Sequence, residues 1–335
     1  MIEQVNLAIV GCGSMTYNAH APWVNATGEI RVIALCDTNR AAAEKLRRER
    51  FKDDAHIAIF EDWRELLKCR PAGIAGVLFA TPHGQHYDQC MAALEQGWHV
   101  LVEKPMVTNS AHARAIISKA QQKALQVQVA FQAPFSAQHA YIREFIAGGS
   151  LGALQAVGGF VFQDWRRLSH GTWRQEPAAA GGGFIYDSGA HLLNAWNYLI
   201  GRPAASVHAM ISNEGLAVDV NGVVNIRYQS GVLASAVFCG NSVGWQEGIW
   251  LAGDRGRIAS GIHGGRMELW DQQGRQLPLP LIAQANYTPP QNFALSLLGR
   301  AAPRSPARLG LLHCLLMEAV YKSAATGQEV AVEQE

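Results

Sequence analysis

A charged pair at the end of an apolar run is the first candidate for chemistry in this chain. Glu103 and Lys104 follow the run Val100–Val102 and come just before Pro105. If the run is a strand of a parallel α/β sheet, its carboxyl end opens onto the crevice where such sheets bind ligands. Pro105 also disfavours a helical backbone at Lys104. A lysine that faces a cofactor or substrate is one interpretation, and a solvated strand end is the other.

A carboxylate and an imidazole four residues apart form the second candidate. Asp187 and His191 follow the glycine cluster 181–183, and a helix is predicted from about Ile185 to Leu199, with Gly201 as its stop. Residues four apart share one helix face. An acid beside a histidine stabilises the imidazolium and fixes its tautomer, which suits general acid–base catalysis. Asp187 could instead serve only to offset the helix dipole.

A glycine turn near the N-terminus predicts a dinucleotide site. The strand Val5–Val10 passes directly into a G-x-G-x-x-T sequence. In a strand–turn–helix unit, the first glycine makes the turn and the second admits a pyrophosphate, which meets the free amides of the helix N-terminus. The predicted phosphate-binding residues are Gly11, Gly13, Ser14 and Met15. Thr16 replaces the third glycine, so an ordinary strand-to-helix turn stays open as the alternative.

An acidic residue after the second strand indicates which dinucleotide is bound. Ile30–Cys36 reads as a strand and ends in Asp37, at the distance from the glycine turn where a carboxylate accepts hydrogen bonds from a ribose and repels a 2′-phosphate. NAD is therefore favoured over NADP. Two alternatives stay open, since Asp37 could cap a helix that begins near Asn39 and Arg40 could receive a phosphate.

The strands and helices that must position these residues alternate through the first part of the chain. Helices are predicted at 41–50, 61–68, 87–96 and 109–123, and buried strands at 73–80 and 125–131. Thr81, Pro82 and His86 follow the strand 73–80 and therefore face the same crevice as Lys104, and one histidine here is expected to pack under the dinucleotide. His83 and His86 lack a nearby cysteine or carboxylate set, so a metal site is not predicted.

The second half of the chain reads as a large β-rich domain. A linker at 132–136 and a helix ending near Gly148 precede the strand 154–163. Further strands are predicted near 206–212, 222–228, 232–238, 248–252, 257–260 and 267–270, and helices at 290–298 and 307–325. Trp165, Trp173 and Arg174 precede the glycine cluster and could line a sugar pocket. An oligomer surface or a solvated loop is the alternative for this segment.

Composition limits the class of protein. The 335 residues suit two domains, and 49% apolar with 16% charged residues is typical of a globular protein. A net charge of +1 gives no reason to expect nucleic acid or an anionic membrane as partner. The six scattered cysteines suggest neither zinc nor disulfides. We see no signal sequence and no membrane span, and we expect a cytoplasmic protein.

The ordered set of motifs resembles the glucose-fructose oxidoreductase and inositol dehydrogenase family (Gfo/Idh/MocA). The set comprises the glycine turn, Asp37, Thr-Pro-x-x-x-His at 81–86, Glu-Lys-Pro at 103–105 and the glycine-rich segment 181–191. The resemblance covers nearly the whole chain. It departs at Gln132–Pro134, where relatives commonly have an arginine close by, and at Asn194, where they often carry an acid.

The resemblance implies a fold and a set of site residues. It implies an α/β Rossmann domain at 1–131 that binds NAD, and an α+β domain at 132–335 with a large, open, mostly antiparallel sheet that shapes the substrate site. The free sheet face would pack on another subunit, giving a homodimer or homotetramer. Lys104, Asp187 and His191 would surround the reacting carbinol. Residues expected near the cofactor include Glu103 and Lys104, and residues expected near the substrate include Trp165, Trp173 and Arg174.

The predicted activity is reversible hydride transfer between nicotinamide and a secondary alcohol or ketone of a sugar, inositol or glycoside. An NAD-dependent glycoside hydrolase that works by transient oxidation is the alternative, and a non-catalytic nucleotide-binding regulator is a third possibility.

Overall fold

The computed structural model describes residues 4–279 and 281–335. The strands are β1 (Val5–Val10), β2 (Ile30–Cys36), β3 (Ala58–Phe60), β4 (Gly76–Phe79), β5 (His99–Val102), β6 (Val127–Val129), β7 (Leu154–Gln163), β8 (Ala204–Ser212), β9 (Asn221–Tyr228), β10 (Leu233–Cys239), β11 (Trp245–Gly253), β12 (Gly256–Ser260), β13 (Met267–Asp271), β14 (Gln276–Leu277) and β15 (Val330–Ala331). The helices are α1 (Ala21–Ala26), α2 (Arg40–Arg50), α3 (Trp63–Cys69), α4 (His86–Glu95), α5 (Ser110–Gln122), α6 (Ala137–Ala147), α7 (Trp165–Leu168), α8 (Pro177–Ala180), α9 (Phe184–Asp187), α10 (Gly189–Ile200), α11 (Pro289–Leu297) and α12 (Ala307–Thr326). These elements form two compact units.

The first unit is built on a six-stranded parallel sheet. Its strand order is β3-β2-β1-β4-β5-β6, and each described pair runs parallel. The central strands β1, β4 and β5 are almost completely buried because helices cover both faces of such a sheet. The reversal of strand order at β1 and β4 creates the crevice in which doubly wound sheets bind nucleotides. This is the predicted Rossmann architecture.

A segment from late in the chain belongs to this first unit. The unit comprises the residues up to Val107, Ala111–Ala130 and Tyr287–Gly310, whereas the predicted boundary assigned everything after 131 to the second domain. Within the late segment, Phe293 and Ala294 on α11 are fully buried in the core formed by β1, β2 and α1. The spacing of apolar residues predicted the helix, but it carried no information about which sheet the helix would cover.

The second unit contains a nine-stranded mixed sheet. The strand order is β14-β13-β12-β11-β7-β10-β9-β8-β15, and only β7 and β10 pair in parallel among the described strands. The predicted large, open, mostly antiparallel sheet is therefore confirmed. The strand 154–163 was predicted with its observed bounds, and the other long strands begin or end within a few residues of the predicted ones.

The two faces of this large sheet differ in their surroundings. Residues such as Val161, Phe238 and Leu251 point to a buried face, against which α9 and α10 pack. The other face carries exposed apolar side chains on β8, β10 and β11. These residues are Met210 on β8, Leu233 and Val237 on β10, and Trp250 on β11, with Phe160 on β7 stacked against Trp250.

The helix predicted from Ile185 to Leu199 is interrupted. The segment forms α9, one turn ending at Asp187, and then α10 from Gly189. Gly201 has the left-handed backbone and donates its amide to the Asn197 carbonyl, as the predicted stop requires. Along residues 4–279 and 281–335, no helix is long and apolar enough to cross a lipid bilayer.

Candidate active site

The glycine turn after β1 has room for a phosphate group. Gly11 has a φ of +93°, and a Cβ there would lie 2.4 Å from the Ala80 carbonyl oxygen, so only glycine fits the turn. A Cβ at Gly13 would meet nothing within 4 Å. Gly13 and Ser14 are exposed at the start of the following helix, where free amides favour an anion. The open backbone therefore fits the predicted pyrophosphate site.

Thr16 replaces the third glycine of the motif without leaving an unsatisfied hydroxyl. Its side chain is fully buried, and its Oγ1 donates to the Gly11 carbonyl at 2.5 Å. The helix begins with a π-helical turn at Thr16–His20 before α1. The hydroxyl thus closes the turn from within, and the β-branched residue is accommodated.

Asp37 is held at the end of β2 by two backbone amides. Its Oδ2 accepts from the Cys12 amide at 2.7 Å and its Oδ1 accepts from the Asn39 amide at 2.8 Å. The N-cap residue of α2 is Asn39. The alternative in which Asp37 is the N-cap of this helix is therefore wrong. Arg40 is exposed and paired with Glu44. The carboxylate is thereby fixed beside the glycine turn, where a ribose would approach it.

Glu103 is a buried carboxylate that organises the backbone at Lys104. Its Oε1 lies 2.6 Å from His20 Nε2 and its Oε2 accepts the Lys104 amide at 3.1 Å. Burial acts to raise the pKa of Glu103, but the His20 bond and the Lys104 charge outweigh it and lower that pKa. Since the Glu103 side chain is only 10% exposed, its role is to support Lys104 more than to contact a ligand directly.

His86 was predicted to contact the dinucleotide, but its ring is fully buried. Nδ1 lies 3.0 Å from the Pro105 carbonyl and Nε2 lies 2.9 Å from the Thr81 carbonyl. Burial lowers the pKa of His86, while the hydrogen bonds to these two carbonyls act in the opposite direction. The ring joins the ends of β4 and β5 and can act on a cofactor only through the backbone it holds. The half-buried Thr81 and Pro82 stay predicted cofactor contacts.

The glycine cluster of the second unit is required by a buried aspartate. Asp219 accepts the amides of Gly183 and Ile185, each at 2.7 Å, and the hydroxyl of Tyr321 at 2.6 Å. A Cβ on Gly183 would lie 1.9 Å from the Asp219 carbonyl oxygen. Burial raises the pKa of Asp219 against these hydrogen bonds. Asp219 thus accepts hydrogen bonds from the free amides at the start of α9. It thereby fixes the conformation of the backbone that carries Asp187.

Asp187 is anchored by two side chains that were predicted to bind substrate. Its Oδ2 accepts from Trp165 Nε1 at 2.9 Å and from Arg174 Nε at 3.1 Å. Trp165 is 2% exposed. It was predicted to contact the substrate, but in the structure it supports the Asp187 carboxylate. Arg174 is 39% exposed along its side chain and lies over the Trp173 ring at 4.5 Å. Arg174 and Trp173 therefore keep surface available for a ligand.

His191 contacts a second histidine. On α10 it is half-buried, and its ring centroid lies 4.9 Å from that of His263 in an edge-to-face arrangement. His263 Nδ1 lies 2.6 Å from Glu247 Oε2. The predicted pairing of His191 with Asp187 stays a prediction.

Two buried polar residues on neighbouring helices lack hydrogen bonds. The Asn194 amide on α10 is 1% exposed and His139 on α6 is fully buried, and neither side chain has a hydrogen-bond partner among the described residues. Burial first, and then the charge of His263, lowers the pKa of His139 to about 4, so this ring is neutral. Asn194, at the position where relatives often carry an acid, lies one turn from the catalytic candidate His191 on the same face of α10.

Sequence reasoning missed four residues that hold the site together. They are His20, Asp219, Glu247 and His263. A weak signal existed for Asp219, because three successive glycines mean that another chain segment approaches closely. His20 lies 83 residues from Glu103 and His263 lies 72 residues from His191, and no spacing pattern could have predicted those contacts or the pairing of Glu247 with His263.

The six-stranded sheet, the open glycine turn and the acid after β2 define a dinucleotide-binding domain of the Rossmann class. Comparison with known families is more specific. Residues 5–131 match the family described as the oxidoreductase family with an NAD-binding Rossmann fold, and residues 139–259 match the Gfo/Idh/MocA C-terminal domain. The chain belongs to the Gfo/Idh/MocA family, and its N-terminal unit is the NAD-binding domain of that family.

Curated relatives include several sugar dehydrogenases. The chain is 26% identical over 208 residues to D-glucoside 3-dehydrogenase of Escherichia coli, covering 61% of this chain and 57% of the relative. It is 25% identical over 221 residues to levoglucosan dehydrogenase of Pseudarthrobacter phenanthrenivorans, covering 63% and 55%. The match thus spans little more than half the length of these two relatives. A 1,5-anhydro-D-fructose reductase of Ensifer adhaerens is 27% identical, over 78% of this chain and 80% of the relative.

Solved structures share the fold over nearly the whole chain. Levoglucosan dehydrogenase in complex with NADH superposes with a TM-score of 0.87 at 20% identity, covering 99% of this chain and all of that one. The WlbA dehydrogenase from Bordetella pertussis, in complex with NADH and UDP-GlcNAcA, gives a TM-score of 0.86 at 21% identity and covers 99% of both chains. At this identity the likeness shows the fold alone.

Proposed function

We propose that this protein is an NAD-dependent dehydrogenase or reductase acting on a secondary alcohol or ketone of a sugar, inositol or glycoside. The observation that carries the proposal is the anchoring of Lys104. The amide of Glu103 donates to the Phe79 carbonyl and that of Ala80 to the Val10 carbonyl, so the ends of β1, β4 and β5 meet at one sheet edge. Glu103, buried against His20, accepts the backbone amide of Lys104, and a backbone fixed in this way beside the glycine turn supports a role for Lys104 in chemistry on a ligand.

The residues that would hold the dinucleotide lie at this same edge. Gly13 and the amides of Ser14 and Met15 would hold the pyrophosphate, and Asp37 the adenosine ribose. Bound NAD supplies the hydride acceptor, C4 of the nicotinamide ring. Thr81 and Pro82, which follow β4, complete the predicted contacts.

The substrate residues have separate roles in the proposal. Lys104 would polarise the reacting oxygen through its charge. His191 would take the hydroxyl proton as the hydride leaves, and Asp187 would orient the residues around it. Trp173 and Arg174 would contact the sugar, since Arg174 is tied to Asp187 and partly exposed. A lysine with a depressed pKa acting as the base is the alternative assignment of the proton.

Substrate class is tested by mixing the purified protein with NAD and a panel of polyols, inositols and glycosides. Growth of NADH absorbance with no release of aglycone supports the proposal. Aglycone release without net NADH would indicate a glycoside hydrolase, and binding of NAD without any turnover across the panel would indicate a regulator. Either result would overturn the proposed reaction.

The role of Lys104 is tested by Lys104→Met. We expect a loss of at least about 10²-fold in kcat, as for removal of an electrostatic stabiliser, with NADH affinity by fluorescence titration changed less than about threefold, because the charge is aimed at the reacting oxygen. Lys68→Met, an exposed lysine on α3, is the matched control and should behave as wild type. Turnover within a few-fold of wild type in Lys104→Met would mean that Lys104 is only a solvated strand end.

The proposal includes a homo-oligomer in the cytoplasm. The support is the exposed apolar face of the large sheet, where Met210 is 59%, Leu233 49% and Trp250 50% exposed. A contiguous exposed apolar patch of this kind marks an interaction surface, and a second copy of the chain is the partner that the family resemblance implies. The cytoplasmic location rests on the need for an NAD pool.

A further inference from the structure

We propose that His263, held by Glu247, positions His191 and passes on the proton that His191 accepts. The proposal rests on the proposed function, since it needs His191 to be the base. It assigns a role to two residues that belong to none of the motifs of the sequence.

Glu247 forms a carboxylate–imidazole pair with His263. Glu247 Oε2 accepts from His263 Nδ1 at 2.6 Å and from Trp245 Nε1 at 3.1 Å, while Oε1 accepts the His263 backbone amide at 3.0 Å. Burial acts to raise the pKa of Glu247, and the hydrogen bonds from His263 and Trp245 outweigh it and lower that pKa. Glu247 is thus an ionised acceptor, and Nδ1 of His263 must carry a proton.

This pairing fixes which nitrogen of His263 can accept a proton. When the ring is neutral and Nδ1 donates to Glu247, Nε2 is the nitrogen with a free electron pair. The same arrangement orients the histidine of acid–base pairs and stabilises the imidazolium when it forms. His263 is therefore chemically prepared to receive a proton.

The ring of His263 lies against that of His191. The centroid distance is 4.9 Å and the planes meet at 60°, so packing of the two rings restricts the orientation of His191. The His263 side chain is 28% exposed and that of Glu247 13%, which connects the pair to solvent. His139 interacts electrostatically with His263 and Glu247, and it is neutral because burial lowers its pKa to about 4.

The proton balance is simple. In the oxidation, the substrate would give its hydroxyl proton to His191, and bound NAD would supply the hydride acceptor. The two rings touch edge to face, and among the described residues no hydrogen bond joins them, so a rotation that turns an N–H of His191 toward Nε2 of His263 precedes the transfer of the proton. Glu247 stabilises the imidazolium of His263 until the proton leaves to solvent. In the reduction the same steps run backwards.

The test compares His263→Ala and Glu247→Gln with wild type in the steady-state oxidation of whichever substrate the panel identifies. We expect kcat to fall about 10- to 100-fold, as for loss of a supporting carboxylate or histidine, with KM changed less than about threefold. Added imidazole should restore part of the rate to His263→Ala, since a free base can take the place of the missing ring. His208→Ala, on β8 of the same sheet and separated from β11 by three other strands, is the matched control.

The outcomes separate this proposal from the function on which it rests. His191→Asn should lose about 10²–10⁴ in rate if His191 is the base; if it does not, the base assignment fails whatever His263 does. If His191→Asn is impaired but His263→Ala and Glu247→Gln keep wild-type kcat and pH profile, the relay is overturned. A lower rate that imidazole does not restore, with an unchanged pH profile and a lower thermal midpoint, would show a structural role only. Glu247→Gln preserves shape and decides the matter should His263→Ala fail to fold.

Discussion

Asp37 shows how one side chain can serve the fold and a ligand together. Its two oxygens accept the Cys12 and Asn39 amides and so join the glycine turn to the start of α2. Each carboxylate oxygen can accept more than one hydrogen bond, so a ribose can still be bound. The charge that suits a ribose also repels a 2′-phosphate.

We predict that Asp37→Asn will change coenzyme preference at a modest cost to folding, because the new NH₂ group replaces one of the two oxygens that accept a backbone amide. The amide oxygen can keep one backbone bond, whereas the loss of charge removes the repulsion of a 2′-phosphate. NAD affinity should fall by about 1–3 kcal/mol, and NADP affinity should fall less or rise. Titration with both coenzymes measures this, and Asp37→Ala reports the added loss of the backbone anchors. An equal loss for both coenzymes in Asp37→Asn would contradict the assignment.

Glu103 should make the stability of the protein depend on acidity. Its folded pKa is lowered, since the His20 bond and the Lys104 charge outweigh burial. Such a group stabilises the fold above its unfolded pKa of about 4.3, and that contribution is lost as the pH falls through the lower folded value. We predict that Glu103→Gln costs on the order of 1–3 kcal/mol near pH 7 and progressively less below about pH 4.

Urea unfolding of wild type and Glu103→Gln across this pH range measures the difference. Glu44→Gln, an exposed position on α2, serves as the control and should show a much smaller effect at every pH. A Glu103→Gln cost that stays constant down to the lowest pH would mean that the carboxylate contributes no charge-dependent stability.

At the scale of elements, glycines in the two units have different structural roles. Gly13 leaves open space for a ligand, while Gly183 allows Asp219 to approach the start of α9. Both positions have the same residue type in the sequence, but one tolerates a methyl group in the folded chain and the other does not.

We predict opposite effects of alanine at these two glycines. Gly13→Ala should leave the free energy of unfolding within about 0.5 kcal/mol of wild type but weaken NAD binding roughly tenfold or more, because the methyl group would occupy the pyrophosphate site. Gly183→Ala should destabilise the protein by about 1–3 kcal/mol or more through overpacking. Thermal unfolding and NADH titration measure both, with Gly28→Ala, another open glycine, as the control.

These expectations fail in identifiable ways. Unchanged NAD affinity in Gly13→Ala would place the pyrophosphate elsewhere. Wild-type stability in Gly183→Ala would mean that the Asp219 segment can move away at little cost, and Asp219 would then not be the residue that sets the α9 backbone.

At the scale of the molecule, the large sheet leaves one apolar face uncovered within the chain. In register, Met210 aligns with Val223, Val237 and Phe160 across four strands, so these side chains share one surface. The opposite face is the core of the unit. An exposed surface of this kind has to be covered by another molecule or it invites aggregation.

We predict that Trp250→Glu will dissociate the proposed oligomer. A charge placed in an apolar interface without a partner costs about 3 kcal/mol, or roughly a hundredfold in the dissociation constant. Sedimentation at micromolar protein concentration should show a smaller species than wild type. Trp63→Glu on α3 of the first unit is the control, and a wild-type protein that is already monomeric would contradict the prediction.

The sequence by itself determined most of the architecture and the family. The pattern of apolar residues predicted the Rossmann strands and the long strands of the second sheet. It could do so because a strand buried on one face has apolar residues at every second position, and a strand buried on both faces has a continuous apolar run. Glycines, Asp37 and the charged residues after β5 lay next to those runs, and their roles could be predicted because strand ends in such folds face ligands.

Only the tertiary structure decided which side chains support the reactive ones. The contacts of His20 with Glu103, Trp165 with Asp187, and His263 with His191 join residues 83, 22 and 72 positions apart. Local sequence reports periodicity and turn chemistry, whereas such long-range contacts depend on how whole elements pack. The assignment of α11 to the first unit could not be predicted for the same reason. The sequence of an amphipathic helix shows that the helix has an apolar face, but it does not show which sheet covers that face.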